Sequence, residues 1–580
     1  MLVSMKLLHR SVIHTAIGCV FALALSGPVF SQSIECPVSS NTTVSGDTTL
    51  FTGATPTYTC VVGNNAVLSV PNGTALLNQE GLSGKSTTMI LDSGTTLQNS
   101  GYVQNFATTS TAYVGGTLTN FGTIYNNSSG TLDTTDGTLT NAGNLENFGT
   151  LDDETGGGGT LNNAGRLVNE FVPNTLGMGG VINVTTITNT FGASIQNDGN
   201  LYTSSLTNNG TLTNGESTLA GGSITISGMS TNNGTLTNQT YGTINVYGSL
   251  ENNGTLTDSA PNPTDILSTG GTINLYGSLL NNSNGMLTNS GVITLASGAS
   301  LTNQGSLSNA GASISLASGS SLTNQGSLLN TGGTLSIAAG STLNNLAGGT
   351  ITQNSSAFNF GLMLVDGTLN SAAGSTLNPL SDTVVVNGTI NSVPAVQLQD
   401  GDLFGTGTIN GNVSTTGEAI FPETYNPGST FDTGTLTING NLSLSGALFI
   451  DMSGTAPGNY SILDVSGLVS LDSPNAVVAF DALNGFTPVT GDVFTFLNFG
   501  SLSGDFNFSN FDFSGWSCPT GDSCDLVYGA NSVSLDILAA SSSGGGGSTN
   551  APEPSSLLLL SAAVIALVAC SRAKRAPANT

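Results

Sequence analysis

Charge is scarce in this chain. Only 7% of its 580 residues are charged, against roughly a quarter in an ordinary soluble domain. Basic residues number seven against 34 acidic ones. Lys6, Arg10, Arg572, Lys574 and Arg575 stand at the two ends, so the long interior keeps Lys85 and Arg166 alone. Contacts to phosphates need lysine and arginine, which excludes nucleic acid as a partner. Histidine is scarcer still, and both copies, His9 and His14, lie close to the N-terminus. A mature chain without histidine has no Ser-His-Asp or Cys-His nucleophilic site and no His-ligated metal, and no cofactor is expected. The shortage of charge also excludes an ordinary amphipathic helical protein, whose outer face would be charged.

Glycine fills part of the gap, with 78 copies, among Thr, Asn and Ser. Disorder normally goes with low hydrophobicity and many charges, whereas here Leu, Ile and Val return at regular intervals. The interval is about 21 residues: Leu301-Thr302-Asn303-Gln304-Gly305-Ser306-Leu307 comes back as Leu322-Thr323-Asn324-Gln325-Gly326-Ser327-Leu328. Looser copies precede them, such as Gly116-Thr117-Leu118-Thr119-Asn120 and Gly137-Thr138-Leu139-Thr140-Asn141. Within each copy apolar and small polar residues alternate, as half-buried strands require. Asn and Gly follow the strands and are expected to supply left-handed backbone at tight corners, with Asn side chains stacked in ladders there. One such unit cannot bury its own apolar side, but units stacked at the strand spacing share one continuous core. The expected fold is all-β: a parallel β-helix, or β-solenoid, with a C-terminal β cap, a flexible linker and one short hydrophobic C-terminal helix.

The organisation follows from composition. Residues 1–31 form a signal peptide, with Lys6 and Arg10 before an apolar run at 16–25 and a small-residue site at Val29-Phe30-Ser31. A lipoprotein site at Cys19 fits less well, because that residue falls inside the apolar run. Residues 32–115 are expected to hold an N-terminal cap and the first coils, 116–403 the repeat solenoid, 404–538 the cap, and 539–551 a Ser/Gly linker. The tail, 552–580, carries an apolar segment at 557–570. Of six cysteines, Cys19 and Cys570 lie in the terminal apolar segments. The other four pair by proximity as Cys36 with Cys60 and Cys518 with Cys524, in keeping with an oxidising compartment.

Two features invite chemistry. Asp152-Asp153-Glu154, beside glycines 156–159, is the densest acidic cluster. Paired carboxyls hydrolyse glycosidic bonds, so a β-helix polysaccharide hydrolase is the competing class. Neighbours on a strand point to opposite faces, however, and a solvated loop is the expected role. Calcium is the other candidate for these oxygens, without the Gly-Gly-x-Gly-x-Asp pattern of calcium-binding β-rolls. The second feature is Thr-Leu-Thr, at Thr117/Thr119, Thr138/Thr140, Thr211/Thr213, Thr235/Thr237 and Thr255/Thr257. With Leu inside, the threonines face outward; stacked, they would form a two-column ladder similar to the flat face of an ice-binding solenoid. Thr also favours strands for its own sake.

Two resemblances complete the reading. The stretch from Phe404 to Leu538, with Gly434-Thr435-Leu436-Thr437-Ile438-Asn439-Gly440-Asn441, resembles the C-terminal passenger segment of autotransporter adhesins. No outer-membrane barrel follows it. The C-terminus, with Pro552, Glu553 and Pro554, then the apolar run 557–570, then Arg572, Lys574 and Arg575, resembles the PEP-CTERM sorting signal. Ala551 stands where valine is commoner. That resemblance implies a Gram-negative bacterium, recognition by an exosortase-type membrane peptidase during a transient stay in the inner membrane, and delivery to the cell surface or an exopolysaccharide matrix. An extracellular polysaccharide is the implied ligand class, and a plain membrane anchor is the alternative for the tail. The apolar run is 14 residues long, about 21 Å as a helix, against a hydrocarbon core of roughly 30 Å. We therefore expect the segment to be removed near Pro552 to Ser555. Intact-mass measurement of protein from the source organism checks this: a chain still ending at Thr580 would show a plain anchor.

Overall fold

The computed structural model describes strands between Gln32 and Phe106, and then residues 111–539 apart from short internal stretches. Those that bear on the argument are 154–157, 171–179, 216–220, 262–269, 372–382, 426–431 and 513–517. Signal, linker and tail, with Pro552, Glu553, Pro554, Arg572, Lys574 and Arg575, lie outside the described residues. No helix among the described residues is long and apolar enough to cross a membrane. The chain divides into two compact units, 1–213 and 214–580, and each is a parallel β-solenoid.

In the first unit each turn of the coil carries three short strands, one per face. The first face stacks Thr96–Asn99, Thr117–Asn120, Thr138–Asn141, Thr160–Asn163, Thr186–Asn189 and Ser205–Asn208 in parallel register. The second stacks Tyr102–Phe106, Thr123–Asn126, Asn144–Asn147, Arg166–Asn169 and Ser194–Asn197. The third stacks Thr111–Val114, Thr131–Asp133, Thr150–Asp152, Val181–Asn183 and Asn200–Thr203. Alternation along each strand turns Leu118, Leu139, Leu161 and Ile187 into the core, where they are almost completely buried.

The asparagines form the expected ladders, but inside the coil and not at its corners. In Thr-Leu-Thr-Asn the period of two that sends Leu inward sends Asn inward as well, and Asn120, Asn141, Asn163, Asn189 and Asn208 are fully buried. None of the ladder asparagines has a positive φ; among the described non-glycine residues only Tyr241 and Asn484 do. Their side chains are joined across the turns instead. Asn120 Nδ2 donates to Asn141 Oδ1 at 2.6 Å, and the chain continues from Asn141 to Asn163 and on to Asn189 and Asn208 at 2.8 Å each. A second ladder, Asn126 to Asn147 to Asn169 to Asn197, runs along the neighbouring face. The second amide proton is used too: Asn120 Nδ2 reaches the Asn144 carbonyl at 2.9 Å. A buried amide left unbonded costs a few kcal/mol, and here each one is satisfied by its own copy one turn away.

Corner glycines likewise serve close approach more than backbone handedness. A Cβ at Gly165 would lie 2.1 Å from the Gly143 carbonyl oxygen, and one at Gly326 would lie 2.2 Å from that of Gly305. Only hydrogen fits there. The left-handed role falls to other glycines, among them Gly298, Gly319 and Gly340 with φ near +80°.

The second unit repeats the plan. One face stacks Met229–Asn232, Ser249–Asn252, Ser278–Asn281, Ser300–Asn303, Ser321–Asn324 and Thr342–Asn345. Its ladder runs from Asn232 through Asn252, Asn281, Asn303 and Asn324 to Asn345 at 2.7–2.8 Å. The predicted pairing of Leu301 with Leu322 is the observed register. Beyond Phe358–Asn359, the last described strand of the third face, the turns continue on two faces. Parallel stacking persists through Thr408–Ser414 and Ile462–Ser470 to Val493–Ser503, well into the segment that resembles an adhesin cap. Phe404, Phe421 and Phe449 stack there at 4.3 and 4.4 Å. Closure comes at the end: Ser532–Ala539 pairs antiparallel with Val493–Ser503, and Asp522–Tyr528 pairs antiparallel with Ser532–Ala539.

The ladder predicts an asymmetry between inward and outward amides. Asn303→Ala leaves the buried Oδ1 of Asn324 without its donor, while Asn281 Nδ2 keeps the Gly285 and Ser306 carbonyls, and should cost about 2 kcal/mol. Asn344→Ala, on the outer side of the same face, should stay within about 0.5 kcal/mol of wild type. Urea denaturation midpoints of the two variants compare them directly.

Candidate ligand-binding surface

Asp152 and Asp153 do not stand in a solvated loop. Asp153 is buried, and its Oδ2 accepts the Thr185 backbone N–H at 2.7 Å and the Thr185 hydroxyl. Asp152 Oδ1 accepts from Asn183 Nδ2 at 2.7 Å. These two carboxylates clamp one turn to the next, and Glu154 lies outside the described residues. Among the described residues no three or more His, Cys, Asp or Glu side chains gather as a metal site. Cys518 and Cys524 form a disulfide with Cα atoms 6.0 Å apart, tying the approach to the last-but-one strand onto that strand. Cys36 and the side chain of Cys60 lie outside the described residues, and the backbone of Cys60 lies in Thr57–Val62.

The threonine pairs do not share one face. Thr117/Thr119 and Thr138/Thr140 stack on the first face of the first unit and continue as Thr160/Asn162 and Thr186/Thr188. Thr235/Thr237 and Thr255/Thr257 pair with each other in the second unit. Thr211/Thr213 belongs to the face of Ser194–Asn197. The expected single ladder is therefore broken into short patches.

Amides on the outside are bonded directly to one another. In the second unit, Asn391 donates to Asn370 at 2.8 Å, Asn410 to Asn391 at 2.7 Å, and Asn439 to Asn410 at 2.7 Å. Thr368, Thr389, Thr408 and Thr437 run beside them in register. Both columns end at an open cleft of about 410 Å³ lined by Thr437, Asn439, Asp464, Ser466, Asn498 and Asn531. Asp464 accepts from Asn498 Nδ2, and Asn531 Nδ2 is held by the Phe499 carbonyl at 3.2 Å. The arrangement offers fixed donors and acceptors with one carboxylate. That suits hydroxyl-rich ligands, which hydrogen-bond with amides and hydroxyls in both directions. Sequence reasoning missed this column because its Asn residues come from four differently spelled strands; strand parity in the copies after Gly367 was the available signal.

Two comparisons return nothing: no protein-family model matches the chain, and no curated protein does. Among solved structures, the Haemophilus influenzae Hap adhesin aligns over 81% of this chain at 14% identity and a TM-score of 0.30. The chain spans 63% of the length of that adhesin. A likeness this distant bears on neither ligand nor partner.

One buried carboxyl stands out. Asp258 replaces asparagine in an inward ladder, accepting from Asn238 Nδ2 at 2.7 Å and from the Val292 N–H at 3.0 Å. Burial pushes its pKa up to about 7, against the lowering effect of those two bonds. The folded state thus holds a proton that the unfolded state releases near pH 4. Its contribution is most favourable below about pH 4, falls as pH rises towards about 7, and is level above, a loss on the order of 4 kcal/mol. Asp258→Asn restores the amide donor, while the Val292 N–H keeps its bond to the Gly271 carbonyl at 3.0 Å. The variant should unfold at higher urea than wild type at pH 8 and lose most of that advantage at pH 4.

Proposed function

We propose that this chain is an exported structural or adhesive solenoid of the cell surface or exopolysaccharide matrix, sorted by its PEP-CTERM-like tail through an exosortase-type peptidase. Its mechanism is display. Stacked turns hold amides and hydroxyls at the strand spacing along a surface with few cations, and extended glycans can bond to many of them at once. The observation that carries this reading is the outward amide column from Asn370 to Asn439, with its donors already aligned and its threonine neighbours in register. Multiple weak contacts along a repeating ligand add up through effective concentration.

The competing hydrolase needs two carboxyls facing each other across a cleft, some 5 to 9.5 Å apart. The lining of the described cleft includes Asp464 as its carboxylate, and Asp152 and Asp153 are committed to clamping turns. Display without cleavage is the better supported chemistry.

The test uses protein recovered from the source organism, incubated with that organism's exopolysaccharide. Co-sedimentation with the polymer, without new reducing ends or unsaturated uronides, is the expected result. Sugar release would establish the enzyme. Failure to sediment, together with extraction only with inner membrane, would overturn the surface role.

A further inference from the structure

Aromatic residues make up 6% of the chain, yet two of them are stacked in the open. Tyr247 and Tyr276 follow the strands Thr243–Val246 and Thr272–Leu275, which are paired in register. Their rings lie 4.5 Å apart and 6° from parallel. They are 55% and 45% exposed. The buried Phe404–Phe421–Phe449 stack is the useful contrast. Its rings are 3–8% exposed, as expected of a stack that serves packing alone. The tyrosine pair leaves about half of each side chain in water, which packing does not require.

The turns next to the pair keep one ring face open. Rings stacked along the coil axis turn their outer faces towards the adjoining turns. One turn beyond Tyr276 the register places Ala296, and beyond that Ala317 and Ala338. Backbone bonds fix the succession: Tyr276 N to the Val246 carbonyl, Ala296 N to Leu275 and Ala317 N to Leu295, all at 2.8–2.9 Å. Ser297 and Gly298 widen the same corner, and a Cβ at Gly298 would meet nothing within 4 Å. Beside Tyr276 there is therefore a ledge of small residues. Asn245 and Asn274, joined at 3.0 Å, and Thr294 stand in the outward column of the adjoining face.

We propose that Tyr276, backed by Tyr247, is a stacking platform for a pyranose ring seated over the Ala296–Gly298 ledge, with Asn274 and Thr294 meeting its hydroxyls. A flat aromatic face binds a sugar through the ring's C–H bonds, so the ligand is one whose hydroxyls are equatorial and whose faces are apolar. The chain's formal charge of −27 disfavours a polyuronate, and with the equatorial hydroxyls this points to a neutral β-linked glycan. This inference rests on the glycan-display reading and adds a site to it.

The experiment titrates the full chain in detergent with a neutral β-1,4-linked glucose hexasaccharide, followed by calorimetry and saturation-transfer NMR. Saturation transfer to the axial sugar protons is expected. Tyr276→Ala and Ala296→Leu should each weaken binding at least tenfold, the first by removing the ring and the second by filling the ledge. Tyr276→Phe should stay within about threefold, because stacking does not use the hydroxyl. Tyr202→Ala, an exposed tyrosine of the other unit, should change nothing. Circular dichroism and melting curves matching wild type exclude misfolding. No binding of the hexasaccharide by wild type, or equal binding by wild type, Tyr276→Ala and Ala296→Leu, overturns the platform. The same variants on whole exopolysaccharide separate the two readings. Polymer retention that survives Tyr276→Ala leaves display standing without this site. Hexasaccharide binding lost in the variants, with no polymer retention by wild type, leaves the site without the matrix role.

Discussion

The inward amide ladder is the constraint on which the rest of both units depends. A leucine core alone would tolerate slippage of one turn over the next, because any apolar residue can sit above any other. An asparagine buried among them cannot. Each ladder amide donates to the amide oxygen one turn away and to nearby backbone carbonyls, so a register shift would leave a column of buried side-chain acceptors unbonded at a few kcal/mol each. The ladder thus converts a non-directional core into a stack with one permitted register.

Fixing the inside fixes the outside. Side chains alternate along each strand, so once Leu and Asn are pinned inward, the residues between them are held in straight outward columns. The threonine patches and the tyrosine pair stand on turns that carry ladder amides, whereas the Asn370–Asn439 column lies beyond Asn345 and Gln353, where the outward amides are themselves bonded from turn to turn. Asp258 shows the tolerance of the system: a carboxyl replaces the amide, keeps two bonds, and makes that turn sensitive to protons.

Much of this was legible in the chain. The return of Leu301 at Leu322 is the hydrogen-bonded register itself, since both residues occupy the same place on successive turns. Parity would also have placed Asn120 inside with Leu118, but asparagine's preference for turns pointed to a corner role. Asp153 reads as one acid in a soluble cluster because its partner, Thr185, comes from the next turn and from beyond residues 171–179. Tyr247 and Tyr276 escape a 21-residue search because the chain between them includes the longer connection that holds residues 262–269. Among the described residues the third face ends at Phe358–Asn359, and the repeat in the sequence has already faded there.

The antiparallel finish has a consequence for how copies of the molecule meet. An open parallel edge is a template on which an identical strand can be laid in the same direction, and head-to-tail addition of that kind has no natural stopping point. Here the growing face is turned back on itself, and its outermost strand, Asp522–Tyr528, bears Asp522 and Asp525 and is tied by Cys524 to Cys518. A second chain approaching along that face meets reversed polarity and like charge. On that face, same-direction addition of a further strand no longer finds a parallel edge to copy.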